Sequence, residues 1–477
     1  MSNKKATTDD IELELLRNAI DKSEKKIGSK AVQSESNILT MKIVENFIKM
    51  KKLVCYGGTA INNILPKEAQ FYDKSYELPD YDFFSYNALN HSKELANIFV
   101  GHGFESVEVR TAMNIGTFKV FVNFLAVADI TEIDREVYEV FKKKGIKKNG
   151  IIYAPINFLR MEMYKELSQP QGEIARWEKV LKRLALINKY YPIHNPKCSS
   201  KSLEFMRDFS GEKTIGQKLY KDLKEILIEQ GVVFFGGYAS NLYSRYMPSI
   251  QKKIIKNIPD FDVLALDAKK TAESVKKELA KDGFKIEIIK KNAIWKLIPI
   301  HYEIMIDEDV LCVIYETTAC HSYNTIHAQK RKIKVASIDT MLNFLFAFYF
   351  KDDNYYDQTR VMCMAEYLFQ VQTKNRLSQK GLLKRFSVKC YGEQRTIEKV
   401  REIKAEKYKL LKNKNSREYQ KYFLKYNPLE EIEREEKKEK DEKKSKKKRE
   451  KKLIKFNKKT RKFKLSNIFK LPGFKFL

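Results

Sequence analysis

The chain has 477 residues, 43% of them hydrophobic, and a formal net charge of +30. That length gives room for two or three domains with cores of their own, and the basic excess points to a polyanionic partner, nucleic acid before membrane. No apolar run approaches the eighteen or so residues of a membrane span, so a membrane role is not expected; the longest run, Met341 to Phe350, has the length of a buried helix.

Residues 1–37 are polar and read as a helix from Asp9 to Lys25 followed by a loose segment. Leu39, Ile43, Val44, Phe47 and Ile48 recur at helical spacing and lead into a strand, Leu53–Tyr56, which ends on Gly57-Gly58-Thr59. Asp80-Tyr81-Asp82 follows, then a helix from His91 to Gly101, Gly103-Phe104, and a strand through Val107 and Val109. A longer strand is expected from Phe118 to Val127, ending at Ala128-Asp129. Helices around Ile156–Leu167 and Glu173–Lys189 close this part.

The same order then returns at an offset near 180. Gly236-Gly237-Tyr238 follows Val232–Phe235, Asp260-Phe261-Asp262 repeats the acidic pair, and Gly283-Phe284 repeats Gly103-Phe104. Four landmarks in one register indicate duplication of a whole domain. Beyond Asp339 the chain reads as helical to about Lys412. Residues 430–452 are a charged run, either a solvated helix or disorder. Residues 443–477 carry sixteen Lys or Arg against a single acid, Glu450, interleaved with Phe456, Phe463, Phe469, Phe474 and Phe476. Aromatics between lysines suit stacking on unpaired bases. Six cysteines without CxxC spacing, and no signal peptide at the Lys-rich start, lead us to expect reduced thiols, a cytosolic setting and no zinc site.

Carboxylates at i and i+2 on a strand share one face, as divalent metal requires, and a Gly-Gly turn lets backbone amides approach a triphosphate. Asp80 and Asp82 are therefore candidate metal ligands, with Gly57, Gly58 and Thr59 as the phosphate cradle. The combination reads as metal-dependent nucleotidyl transfer, in which two divalent ions activate a hydroxyl and neutralise a leaving pyrophosphate. Such a site takes a third carboxylate from a neighbouring strand. The polar residue in the middle of the expected strand is Asn123, an amide, and Asp129 stands six residues further on as a substitute. Arg176, Lys179 and Arg183 lie on one helix, as a surface face or as triphosphate contacts. In the second copy, matching Asp307 to Asp129 puts His301 opposite Asn123, and Tyr238 replaces Thr59. That copy reads as degenerate, kept for packing and RNA contact.

The stretch Lys52–Ala60, then Leu78-Pro79-Asp80-Tyr81-Asp82-Phe83-Phe84-Ser85, Val127-Ala128-Asp129 and Leu186–Ile193, resembles the poly(A) polymerase catalytic subunit of large cytoplasmic DNA viruses. The asfarvirus-like and amoebal giant-virus branches are more similar than the poxvirus one. The resemblance is specific over about 40–195, weaker over 230–350 and absent from the tail. It implies an α+β fold with two tandem DNA polymerase β-like nucleotidyltransferase domains, mixed sheets flanked by helices, helical connections and a basic tail. The expected boundaries are 1–37, a catalytic domain at 38–195, a degenerate copy at 196–350, a helical region at 351–429 and a charged tail at 430–477. It further implies template-independent addition of AMP from ATP to mRNA 3′ ends, with Mg²⁺ or Mn²⁺, in the cytoplasmic viral factory or the virion. Asp80 and Asp82 would be the metal ligands, with Asn123 in the third aspartate's place and Arg176 and Lys179 near the nucleotide. The partners implied are ATP and an RNA 3′ end, with a homodimer as the candidate assembly and no separate processivity subunit evident. Two alternatives stand beside this, a non-catalytic RNA-binding scaffold and a terminal nucleotidyltransferase of other base specificity.

Overall fold

The computed structural model describes residues 8–194, 198, 213–247, 261–328, 331–351 and 358–468. Asp260 and the tail aromatics Phe469, Phe474 and Phe476 lie outside the described residues. The chain opens with helices α1 (Thr8–Gln33) and α2 (Glu35–Lys51), so the segment expected to be loose is helical on both sides of Ser34. α2 buries Ile43, Val44, Phe47 and Ile48 of the apolar set at helical spacing, leaves Leu39 exposed, and delivers the chain to β1 (Val54–Tyr56).

The first half then runs α3 (Gly57–Ile64), β2 (Tyr81–Ser85), α4 (Ala88–Gly101), β3 (Val107–Thr111), β4 (Thr117–Val122) and β5 (Leu125–Glu132). It continues with α5 (Arg135–Lys144), β6 (Ile146–Lys148), β7 (Ile151–Tyr153), α6 (Ile156–Leu167) and α7 (Trp177–Tyr190). The second half runs α8 (Lys213–Glu229), β8 (Val233–Phe235), α9 (Gly236–Tyr243), β9 (Phe261–Ala265), α10 (Ala268–Lys281), β10 (Ile286–Lys291), β11 (His301–Ile306) and β12 (Asp309–Glu316). There follow β13 (His321–Ala328), β14 (Arg331–Ala336), α11 (Ile338–Phe348) and α12 (Gln358–Lys374). The chain closes with β15 (Cys390–Tyr391), α13 (Ile397–Leu410), α14 (Arg417–Phe423), β16 (Lys425–Tyr426) and α15 (Pro428–Ile468).

Two eight-stranded mixed sheets result, ordered β16-β3-β4-β5-β2-β1-β7-β6 and β10-β11-β12-β9-β8-β14-β13-β15. Without the outermost strand of each, β16 and β15, the two orders match element for element, which is the duplication expressed as topology. The region after Asp339 is therefore not purely helical: β15 and β16 are supplied from it, one to an edge of each sheet. α11 is buried along its whole length, as an apolar run of that size requires. The charged run at 430–452 is helical, within α15. No helix among the described residues is long and apolar enough to cross a membrane.

Two further sequence expectations are corrected. The strand expected from Phe118 to Val127 is a hairpin: β4 and β5 are antiparallel, and Asn123 and Phe124 form its two-residue turn with φ of 50° and 66°. Positive φ at both central residues is the turn geometry that matches strand twist, and Asn tolerates it well. The cysteines are not all reduced. Cys198 is bonded to Cys363 and Cys320 to Cys390, with Cα–Cα separations of 5.5 and 5.1 Å; Cys55 and Cys312 are buried outside these pairs. Partners 165 and 70 residues apart in sequence leave no local spacing signal.

Candidate active site

β1 and β2 are antiparallel, with Tyr56 opposite Asp82, and β2 and β5 are parallel, with Asp82 opposite Asp129. Residues in register on adjacent strands share a face, so the carboxylate that β5 brings to Asp82 is Asp129. Asn123, at the hairpin turn, is six residues away along the chain, and its amide N–H donates to Ser106 O at 2.8 Å. It borders an open pocket of 480 Å³ with Glu35, His102 and Glu105, none of them a residue of the acidic pair.

Gly57 has φ of +74°, and a Cβ there would run into Asp82 Oδ2. Only glycine lets the strand-to-helix turn close down on that carboxylate. Thr59 is buried and its hydroxyl donates to Asp80 O at 2.6 Å. It thereby fixes the acidic segment. One turn on, Asn62 Oδ1 accepts from the Phe71 and Tyr72 amides at 2.8 and 2.9 Å, and Tyr81 OH donates to Glu45 Oε1 at 2.6 Å. Both sides of the 65–80 loop are thus tied to α2 and α3.

The three acids feel one another. Burial, then Asp80 and Asp129, push the Asp82 carboxyl up to about 7, against the lowering influence of Lys119 and Arg176. Burial also raises Asp129, which Lys119 counters by an ion pair of 2.5 Å from Nζ to Oδ2. Asp129 Oδ1 is buried with no hydrogen-bond partner among the described residues. Among the described residues no three His, Cys, Asp or Glu side chains converge as a ready metal cage. The donor set nevertheless fits a divalent cation: hard carboxylate oxygens, one of them orphaned, in mutual repulsion that a cation would relieve.

On the other flank, α3 begins at Gly57 without a side-chain cap, leaving its first amides open to an anion. A Cβ at Gly58 would meet the Tyr72 hydroxyl and, at 3.1 Å, the Arg183 guanidinium. Arg183 is buried on α7, donates to Tyr72 OH at 2.9 Å and lies over the Phe71 ring at 4.7 Å. It has no ion pair among the described residues. Lys179, one turn earlier, has its pKa lowered by desolvation, then by Arg183 and Arg176. Arg176 precedes α7 and is paired with Glu166 and Glu173 at 3.1 and 3.2 Å. Of these cations, Arg183 is the one that reaches the helix start.

The second copy keeps the frame without a counterpart of Asp129. Gly236 has φ of +63°, and a Cβ there would strike Asp262 Oδ2. Asp262, however, stands opposite Val313. The β11–β12 turn falls at Asp307, φ 49°, so Asp307 corresponds to Asn123, and His301 has no ligand counterpart in the first copy. Tyr238 fills the Thr59 position and packs against Phe234 and Phe261 at 4.9 and 5.4 Å.

Residues 42–173 match the family described as poly(A) polymerase catalytic subunit. A protein of Acanthamoeba polyphaga mimivirus is 32% identical over 160 residues, 32% of this chain and 27% of that protein. One from African swine fever virus, strain Badajoz 1971, is 32% identical over 174 residues, 36% of each. Both are provisionally described as poly(A) polymerase catalytic subunits, and the chain spans only about a third of the length of these curated relatives. The crystal structure of the Megavirus polyadenylate synthase shares the fold, with a TM-score of 0.77 and 23% identity, over 91% of this chain and 89% of that one. The residues that match the poly(A) polymerase catalytic subunit family thus include Gly57, Gly58, Asp80, Asp82 and Asp129.

Proposed function

We propose that this chain is a template-independent poly(A) polymerase that adds AMP from ATP to RNA 3′ ends, with residues 38–195 as its catalytic domain. The observation that carries the reading is the in-register pairing of Asp82 with Asp129 beside Gly57. Asp80, Asp82 and Asp129 would hold Mg²⁺ or Mn²⁺, which when bound supplies the positive charge that activates the 3′-hydroxyl and neutralises the departing pyrophosphate. The open amides of α3, Arg183, Lys179 and Arg176 hold the triphosphate in line. The 3′ oxygen forms a bond to the α-phosphorus as the bond to pyrophosphate breaks. Thr59 and Asn62 act through position, one on the Asp80 backbone and the other on the loop that carries Tyr72.

The second domain serves packing and RNA contact in this reading, since Val313 stands where a carboxylate is needed. The scaffold alternative rests on Asn123 and on the eroded second copy, and the register of Asp82 with Asp129 speaks against the first of these. Base choice is tested by incubating the protein and an RNA primer with Mn²⁺ and each of the four nucleotides in turn. Long extension with ATP alone is expected. Preference for UTP or CTP would replace the poly(A) reading by another terminal transferase, and no extension with any nucleotide would end the enzyme reading.

A further inference from the structure

The two glycines that open α3 face different chemistry. A Cβ on Gly57 would strike Asp82 Oδ2, whereas one on Gly58 would strike the Tyr72 hydroxyl and come within 3.1 Å of both terminal nitrogens of Arg183. The first turn of the helix is therefore flanked by a carboxylate on one side and by a hydroxyl–guanidinium pair on the other. Tyr72 lies in the loop between α3 and β2 and belongs to none of the sequence motifs.

The loop holds Tyr72 in place through α3 itself. The amide N–H groups of Phe71 and Tyr72 donate to Asn62 Oδ1 at 2.8 and 2.9 Å, and Asn62 is buried in that helix. The Phe71 and Tyr72 rings meet edge to face at 4.8 Å, and the Arg183 guanidinium lies 4.7 and 5.6 Å from their centroids. Arg183 Nη2 donates to Tyr72 OH at 2.9 Å. A tyrosine hydroxyl that accepts from a guanidinium still has its own proton to give. Among the described residues that proton has no acceptor, and the remaining Arg183 N–H groups have no partner. Arg183 is only 9% exposed, so its charge is largely withdrawn from water without a counter-charge. Such a charge is costly to bury, and an anion seated beside it offsets the cost.

An anion at the start of α3 would accept from the open amides, from Arg183 and from the Tyr72 O–H together. In nucleotidyl transfer the α-phosphorus belongs on the Asp82 side, where the 3′-hydroxyl is activated. The Gly58 side then receives the phosphate farthest from the bond that forms.

We propose that Tyr72 is a ligand of the nucleotide's γ-phosphate, its O–H donating to a phosphate oxygen while its oxygen accepts from Arg183, and that it makes the site select nucleoside triphosphate over diphosphate. This rests on the polymerase reading above. The test uses the full chain with Mn²⁺ and no RNA, and measures displacement of a fluorescent ATP analogue by ATP, ADP and inorganic tripolyphosphate. Tyr72→Phe keeps the ring and removes the hydroxyl. It is expected to weaken ATP and tripolyphosphate about tenfold and ADP by less than about twofold. In primer extension KM for ATP rises about tenfold while KM for RNA stays within about twofold. In an Arg183→Gln background the same change is expected to weaken tripolyphosphate several-fold more. No added loss there would mean that Tyr72 acts only by holding Arg183, and would overturn the direct contact. Unchanged ATP affinity in Tyr72→Phe would overturn the proposal, as would an equal loss for ATP and ADP. The ratio of the two affinities does not depend on the fraction folded, so a lower melting temperature in Tyr72→Phe leaves the test decisive. No binding of ATP by the wild type would end the polymerase reading as well, whereas binding with an unaltered preference in Tyr72→Phe ends the Tyr72 assignment alone.

Discussion

Burial, Asp80 and Asp129 hold the Asp82 carboxyl near 7, far above its usual range, so the folded protein keeps a proton there that the unfolded chain releases. Asp82 thus stabilises the metal-free fold at pH below about 4, and that contribution is lost as pH rises through about 7, by up to about 4 kcal/mol. Thermal melts of metal-free protein between pH 4 and 8 are expected to show this decline, with Asp82→Asn flattening it and added Mn²⁺ restoring the wild type. Parallel pH profiles for the two proteins would contradict it. Asp80, Asp82 and Gly57 are legible in the sequence because strand, glycine turn and acidic pair follow at short range. Asp129 is only half legible. The run Val120–Val127 is apolar on both sides of Asn123, and no glycine marks the turn that places Asn123 away from Asp82 and Asp129 opposite it. The signal lay in the second copy, where the polar pair Asp307-Glu308 interrupts the matching run. Aligning the two halves on that turn, not on the last acid, moves the comparison onto Asp129 and Val313.

At the scale of elements, α3 and α9 show one strand-to-helix turn kept for two purposes. Both begin on a positive-φ glycine against an aspartate of the next strand, and only α3 carries Thr59 bonded to the acidic segment. Gly236→Ala is expected to cost about 1–3 kcal/mol in urea unfolding, since the backbone and Asp262 both resist a Cβ. The folded fraction should extend RNA at the wild-type rate. Gly57→Ala should lose extension as well as stability. Comparable loss of turnover per folded molecule in Gly236→Ala would mean the second copy takes part in chemistry. The glycine pairs announced this symmetry from sequence. The short edge strands β15 and β16 did not announce themselves, because two-residue strands have no periodicity to read.

Across the whole molecule, the two sheets are joined through chemistry that no local pattern encodes. Trp295 from the second half packs on Phe84, Phe141 and Phe158 of the first. Replacing half-buried Trp295 by Ala is expected to cost about 3 kcal/mol, measured by denaturation. A neutral Trp295→Ala would show that the join lies elsewhere. Because β16 returns to the β3 edge, the long α15 starts from the first sheet, so the basic tail is tied to the half that holds the carboxylates. The claim on which the rest depends is that Asp129, not Asn123, completes the acidic set. Primer extension with ATP and Mn²⁺ by wild type, Asp129→Asn and Asn123→Asp tests it most directly. Asp129→Asn should fall at least about a hundredfold while Asn123→Asp stays within about twofold of wild type. Near-normal extension by Asp129→Asn, or a large gain from Asn123→Asp, would contradict the account.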